Sequence, residues 1–120
     1  MENNKEKKLL RIYISSTDKF KHKPLYEVIV FLARRNKLAG ATVLRGIMGY
    51  GSSSKINSAK FWEITQKLPL IIELIDDEDK IDSFFELIQK YLSKIPTGSL
   101  VTIEKVNVVF HKLGRGKNKK

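Results

Sequence analysis

The chain has 120 residues, which fits one domain whose core is large enough to fold without cross-links. It contains no cysteine and two histidines, so disulfides, a catalytic thiol and thiolate metal ligands are excluded, and no metal site is expected. The formal net charge is +10, but four cations lie in the acid-free segment 114–120 and the others are scattered, which argues against a nucleic-acid groove.

The first half of the chain predicts a strand, a helix and a second strand. Leu9–Ile14 is a short apolar strand, and residues 1–8 before it are expected to be disordered. Pro24 opens a helix whose apolar residues recur every three or four positions, and Gly40 is placed to end it. Ala41–Met48, which is rich in apolar and β-branched residues, is the second strand.

The second half continues after a long connection at about 50–67, which we expect to be a mobile loop. Leu68–Ile75 is the third strand, and the acids of Asp76–Asp79 suit the positive end of a second helix. Leu100–Phe110 is the last strand. Its apolar residues change parity at Glu104–Lys105, which predicts a β-bulge there.

This order of elements predicts an α+β, ferredoxin-like βαββαβ fold, in which a four-stranded antiparallel sheet carries both helices on one face. The domain is expected to span 9–113, and a basic disordered tail follows at 114–120. Strands two and three place apolar residues on both faces, since Leu44 and Ile71 alternate with other apolar residues. A sheet face without helices should be polar unless something covers it, so we expect a homo-oligomer.

The stretch Gly40–Gly51 is the most informative candidate site. The second strand runs into Gly46, Gly49 and Gly51, which would let the main chain approach a ligand closely or adopt positive φ. Arg45 would offer a planar cation to a phosphate or carboxylate. The alternative is that the glycines form a bulge and a turn, while Arg45 pairs with a carboxylate on a neighbouring strand.

Five segments together carry a family resemblance that covers nearly the whole folded region: Leu10–Ile14, Lys23–Ile29, Gly40–Gly51, Leu68–Glu73 with Asp76, and Gly98–Glu104. The chain resembles the PII-like (GlnB-like) superfamily, most closely its uncharacterised DUF190 branch. The resemblance implies a trimer that binds ligands, commonly adenine nucleotides, in clefts between subunits. It also implies that the loop at about 50–67 docks onto a target, and no obligatory cofactor is expected.

The resemblance places ligand-binding residues at the base of that loop. Thr42-Val43 and Gly49-Tyr50-Gly51 are similar to the Thr-Val and Gly-Phe-Gly of PII proteins, with one extra residue between them here. Together with the loop after the second helix, the predicted ligand-binding set is Thr42, Arg45, Gly46, Gly49, Tyr50, Gly51, Lys94 and Gly98.

The loop Lys94–Ser99 is similar to the phosphate-cradling loop that follows the second helix in PII proteins. Two positions depart from that pattern, because Pro96 stands in place of a glycine and Ser99 in place of a lysine. A proline removes one backbone donor and a serine removes a cation. A monophosphate or another small anion is therefore a more secure ligand than a triphosphate.

The remaining polar groups do not form a catalytic set. Ser52–Ser54 lack a base and an orienting acid at any evident spacing, and the helix start explains Asp76–Asp79 better than a metal does. His22 could meet a phosphate, and Phe61 with Trp62 could stack on a base, but a surface loop and core packing are simpler uses. We therefore expect that the protein is not an enzyme.

The predicted function is that of a ligand-sensing regulator. A small anion, such as an adenine nucleotide, would order or release the loop and so change its affinity for an enzyme or a membrane transporter. The alternative is a nucleic-acid-binding protein that uses its basic surface and tail. No apolar run approaches the roughly 20 residues of a membrane span, so a cytoplasmic protein without membrane insertion is expected.

Overall fold

The computed structural model describes residues 5–51, 56–58 and 67–115. Several predictions fall outside these residues: the disorder of 1–4 and 116–120, most of the loop at 50–67, Ser52–Ser54, Phe61 and Trp62. The elements in chain order are β1 (Lys7–Ser15), β2 (Lys19–Phe20), β3 (Lys23–Pro24), α1 (Leu25–Arg35), β4 (Thr42–Arg45), β5 (Met48–Gly49), β6 (Asn57–Ser58), β7 (Pro69–Asp77), α2 (Glu78–Leu92) and β8 (Leu100–Val106).

Four of the strands form one antiparallel sheet in the order β4, β7, β1, β8. The pairs β2–β3 and β5–β6 form two short hairpins outside it. Both helices pack on one face of the sheet, which confirms the predicted ferredoxin-like arrangement. The core between the layers consists mainly of aliphatic side chains, among them the fully buried Leu10, Ile12, Leu25, Ile29, Ile72, Ile81 and Ile88.

Helix α1 ends five residues before the predicted Gly40. Asn36 caps it with a backbone N–H that donates to the Leu32 carbonyl oxygen at 2.9 Å, and Lys37 follows in the left-handed region with a φ of 63°. A left-handed residue directly after the last turn is a common way to end a helix, although glycine usually occupies it. Gly40 is therefore not the cap, and that prediction is wrong.

The strand β7 is longer than predicted and includes Asp76 and Asp77, so α2 begins only at Glu78. Asp76 is completely buried, and its carboxylate accepts backbone N–H groups of Ala39 and Asp77, each at 2.7 Å. A buried carboxylate needs such donors, because an unpaired one would be costly. Asp76 thus joins the chain before β4 to the end of β7 rather than serving the start of the helix.

The predicted bulge at Glu104–Lys105 is wrong. Strand β8 pairs with β1 in unbroken register from Leu100 opposite Tyr13 to Val106 opposite Lys7. β1 begins at Lys7, two residues earlier than expected, and β8 stops where this partner starts. The apolar residues after 106 that suggested a change of parity lie outside the strand.

The second strand of the sheet is shorter than predicted because β4 stops at Arg45. The amide N–H of Gly46 still donates to the Pro69 carbonyl oxygen at 2.8 Å, but Pro69 has no N–H to return. The ladder therefore ends there, and Met48–Gly49 pairs with Asn57–Ser58 in a separate hairpin.

Candidate functional site

Seven of the eight predicted ligand-binding residues lie at one end of the sheet. At this end β1 and β4 finish, and β7 and β8 begin. Ser15, the last residue of β1, lies opposite Pro69, the first residue of β7. We call this the Ser15–Pro69 end. Thr42 is the exception, since it lies at the start of β4 opposite Glu73.

The first part of the site, the glycine half, is the segment Arg45–Gly51 after β4. A β-carbon on Gly46 would lie 2.8 Å from Pro69 Cγ, and one on Gly49 would lie 3.2 Å from the same atom. Gly51 faces open space, and none of the glycines in the described parts of the chain has a positive φ. Gly46 and Gly49 therefore make room for the chain's own proline, whereas Gly51 has open space where a side chain would lie.

Arg45 is exposed and forms no ion pair with any residue that the structure describes, so the alternative of a carboxylate on a neighbouring strand is not found. It lies opposite Leu70, in the register that faces the helices, whereas Thr42 is opposite Glu73 on the helix-free face. Because successive strand residues alternate between faces, Thr42 and Arg45 do not share one surface of the protomer.

The second part of the site, the loop half, is the segment 93–99 between α2 and β8. Lys94 and Gly98 are exposed in it. The Thr97 hydroxyl donates to Oδ1 of buried Asp18 at 2.8 Å, and the Ser15 backbone N–H donates to Oδ2 of the same carboxylate at 2.9 Å. Asp18 thus ties this loop to the end of β1.

Asp18 was not among the predicted residues, although an aspartate that follows serine and threonine in a polar loop is a known turn signal. The β2–β3 hairpin was not predicted either, and its two turn residues Lys21 and His22 both adopt positive φ, at 49° and 71°. The Phe20 ring of this hairpin packs against Tyr91 near the end of α2, with 4.9 Å between ring centroids. The hairpin therefore lies beside the loop half.

The two halves lie at opposite edges of the same sheet end. Since β4 and β8 are the edge strands of a four-stranded sheet, the halves are separated by three strand spacings, roughly 14 Å. A single phosphate group cannot touch both halves of one protomer. A cavity of about 690 Å³ lies at the other end of the sheet and is lined by Lys5–Lys7 and Lys105–His111.

The helix-free face of the sheet carries an apolar row that crosses all four strands: Leu44, Ile71, Tyr13 and Leu100. Leu44 is 44% exposed and Leu100 is 59% exposed. Beside the apolar row lies a set of charges that we call the ionic row, in which Arg11 donates to Glu73 directly opposite on β7 at 2.9 Å and diagonally to Glu104 on β8 at 2.8 Å. The hydrogen bond to Glu73 is the main cause that raises the pKa of Arg11.

Among the described helices, neither is long and apolar enough to cross a membrane. No cluster of histidine, aspartate and glutamate within 5–51, 56–58 and 67–115 could hold a metal ion.

Comparison with known proteins gives a family. The model of the DUF190 family, described as "Uncharacterized ACR", matches residues 7–108. A UPF0166 protein of Aquifex aeolicus (strain VF5) is 39% identical over 105 residues, which cover 88% of this chain and 95% of that protein. A UPF0166 protein of Methanocaldococcus jannaschii is 32% identical over 101 residues, 84% of this chain and 90% of the relative.

The fold is similar to that of solved PII-like proteins. CPII, a nitrogen regulatory PII-like protein from Thiomonas intermedia K12, superposes with a TM-score of 0.55 over 89% of this chain and 96% of its own. Its sequence is 18% identical, and its structure holds ADP, AMP and bicarbonate. At that identity the likeness establishes the shared fold.

Proposed function

The chain belongs to the DUF190 family, and we propose that it is a PII-like regulatory protein rather than an enzyme. It binds a small anionic ligand, an adenine nucleotide, in clefts between the subunits of a trimer. It signals through the loop at 50–67 to a target enzyme or membrane transporter. The adenine nucleotides held by CPII, which has the same fold, support this choice of ligand.

The observation that carries the proposal is the separation of the two halves of the site. In one protomer they lie roughly 14 Å apart at the two edges of the sheet. A head-to-tail ring places the β4 edge of one copy next to the β8 edge of the next copy. Repeated contacts of this kind form a closed ring when the rotation between neighbouring copies adds up to a full turn. The glycine half of one subunit and the loop half of the next then line one cleft.

The exposed apolar row on the helix-free face supports assembly. Four neighbouring apolar side chains that cross an entire sheet face favour burial against another surface. The ionic row through Arg11 lies beside it, and its charges are already paired within the protomer, so a contact over this face leaves no charge without a partner.

Each half of the cleft has a separate role. Arg45 binds a phosphate with two parallel N–H donors, and Lys94 contributes a second cation from the neighbouring subunit. Two residues connect this site directly to the loop: Tyr50, which is 71% exposed, and Gly51, which has open space where a side chain would lie. A ligand that contacts them in only one arrangement of the loop shifts the population toward that arrangement.

The test is calorimetric titration of the purified protein with AMP, ADP, ATP and bicarbonate, combined with light scattering to obtain the mass of the assembly. Saturable binding of an adenine nucleotide by an assembly of several chains is expected. If none of these compounds binds, an adenine-nucleotide sensor is the wrong function. The comparisons give no support to the alternative of a nucleic-acid-binding protein.

A further inference from the structure

The tip of the β2–β3 hairpin concentrates positive charge in a strained turn. Lys19, Lys21, His22 and Lys23 are all exposed, and the two turn residues Lys21 and His22 both lie in the left-handed region. Glycine and asparagine adopt that conformation at little cost, whereas other residues lose free energy there. Stability alone therefore does not account for a lysine and a histidine at these positions.

Contacts with the rest of the molecule hold this tip in place. The Phe20 ring packs against Tyr91 of α2, and the Lys21 ammonium lies 5.6 Å from the centroid of the Phe20 ring. Just before the hairpin, Asp18 accepts the hydroxyl of Thr97 from the loop half. The cations are thus presented on a fixed support at the Ser15–Pro69 end of the sheet.

None of the three lysines of this hairpin forms an ion pair with a carboxylate in the part of the chain that the structure describes. Both carboxylate oxygens of Asp18 accept hydrogen bonds from its own surroundings, from Thr97 and from the Ser15 amide. Glu27, in the first turn of α1, lies 3.4 Å from the Tyr26 hydroxyl. Three lysines within five residues repel one another, and a bound anion would relieve that repulsion.

We propose that the β2–β3 hairpin is a phosphate-binding element, in which Lys21 and its neighbours contact the phosphate chain of the ligand held by the loop half. The inference deepens the proposed function, on which it rests, by assigning residues that bind the phosphates. In the loop half, Pro96 has no backbone N–H and Ser99 carries no charge, so Lys94 is the one cation of residues 93–99. The hairpin supplies cations beside it, and a ligand with several phosphates then binds more tightly than one with a single phosphate.

The chain offers a matched control for Lys21→Gly, the substitution that tests the proposal. Lys37 is also an exposed lysine with a positive φ, at 63°, but it follows α1 at the opposite end of the sheet. Lys21→Gly and Lys37→Gly each remove one charge and each relieve one left-handed side chain. A general effect of net charge or of backbone strain would therefore appear in both variants equally.

The experiment measures the Kd of ATP and of inorganic tripolyphosphate for the wild type, Lys21→Gly, Lys37→Gly and Lys21→Arg, with thermal unfolding as a check on folding. Lys21→Gly is expected to weaken both ligands about tenfold, the order of one charge-assisted hydrogen bond, without lowering the melting temperature. Lys37→Gly should bind like the wild type, and Lys21→Arg should retain most of the affinity.

The outcomes separate the two proposals. ATP binding that is equal in Lys21→Gly and Lys37→Gly overturns the hairpin site and leaves the nucleotide sensor in place. Binding of tripolyphosphate that depends on Lys21, with no binding of any nucleotide, supports the hairpin site and contradicts the nucleotide sensor. If neither probe binds to the wild type, both proposals are wrong.

Discussion

The amide N–H of Gly46 donates a 2.8 Å hydrogen bond to the carbonyl oxygen of Pro69, and the ring of Pro69 fills the space beside Gly46 where a side chain would begin. This contact ends the β4–β7 ladder and turns the chain toward the loop at 50–67. It also places Arg45 at the last position of β4, exposed and without an ion pair to the described residues. The start of the loop and the proposed anion-binding arginine are thus held by one glycine–proline contact.

Replacing Gly46 should destabilise the fold. The β-carbon in Gly46→Ala would lie 2.8 Å from a ring atom of Pro69, which cannot rotate away, so we expect a loss of about 1–3 kcal/mol in the free energy of unfolding. Gly49→Ala, with a contact of 3.2 Å, should lose less. Gly51→Ala is the control, because it meets nothing within 4 Å and reduces the entropy of the unfolded chain. Equal guanidinium midpoints for all three variants would contradict this account.

Placing a charge in the apolar row should break the assembly. Leu44→Asp puts a carboxylate at the β4 end of the apolar row that we propose to be buried between subunits, where its desolvation is costly. Light scattering should then give the mass of one chain, 13.8 kDa, instead of a multiple of it. Phe31→Asp is the control, because Phe31 is 59% exposed on α1, away from the helix-free face. A wild type that is already monomeric would refute the interface.

Removing the hydroxyl of Thr97 should loosen the loop half. Thr97→Val keeps the shape of the side chain but leaves Oδ1 of buried Asp18 without its donor, which should cost about 1–3 kcal/mol. Amide hydrogen exchange in 93–99 should become faster as well. Thr102→Val, an exposed position on β8, serves as the control. Unchanged exchange in 93–99 would show that Asp18 does not hold this loop.

Lys8 should stabilise the protein over a defined range of pH. It donates to Asp82 at 2.9 Å, which is the main cause that raises its pKa above the ordinary 10.5, and it lies 3.1 Å from Glu78. A raised pKa means that the stabilisation is complete below 10.5 and is lost as the pH rises through the higher value of the folded state. Thermal unfolding of the wild type and Lys8→Gln should therefore differ at pH 7–9 and converge in strong alkali. The control Lys90→Gln removes an exposed lysine and should show no such convergence. If the difference in thermal stability between the wild type and Lys8→Gln persists in strong alkali, the Lys8–Asp82 ion pair is not its cause.

The layered fold was predictable because each element carries its own periodicity. Leu10, Ile12 and Ile14 recur at every second position of β1, and Ile81 and Ile88 repeat along α2, so burial against a single core follows from local patterns. The βαββαβ order leaves few other arrangements.

The predictions failed where the conformation of a segment depends on residues that are far away in the sequence. The end of β8 depends on the position at which its partner β1 begins, Lys7. The residues of β8 itself do not indicate that position. The role of Gly46 depends on Pro69, a residue far along the chain. The β2–β3 hairpin was missed because Lys21 and His22 are not the asparagine and glycine that usually mark such turns.

The central claim is that the ligand site is completed by two subunits, and a mixing experiment tests it most directly. Arg45→Ala removes the cation of the glycine half, and Lys94→Ala removes that of the loop half. We expect each variant alone to bind ADP or ATP at least tenfold more weakly than the wild type while keeping its assembly.

Co-refolding the two variants in equal amounts then gives mixed rings. In a head-to-tail ring about a quarter of the clefts should combine an intact Arg45 with an intact Lys94 and recover wild-type affinity. A calorimetric titration of the mixture that shows this fraction of tight sites would support the shared cleft. A mixture that binds no better than either variant alone would contradict it, because sites contained within one chain cannot be restored by a second.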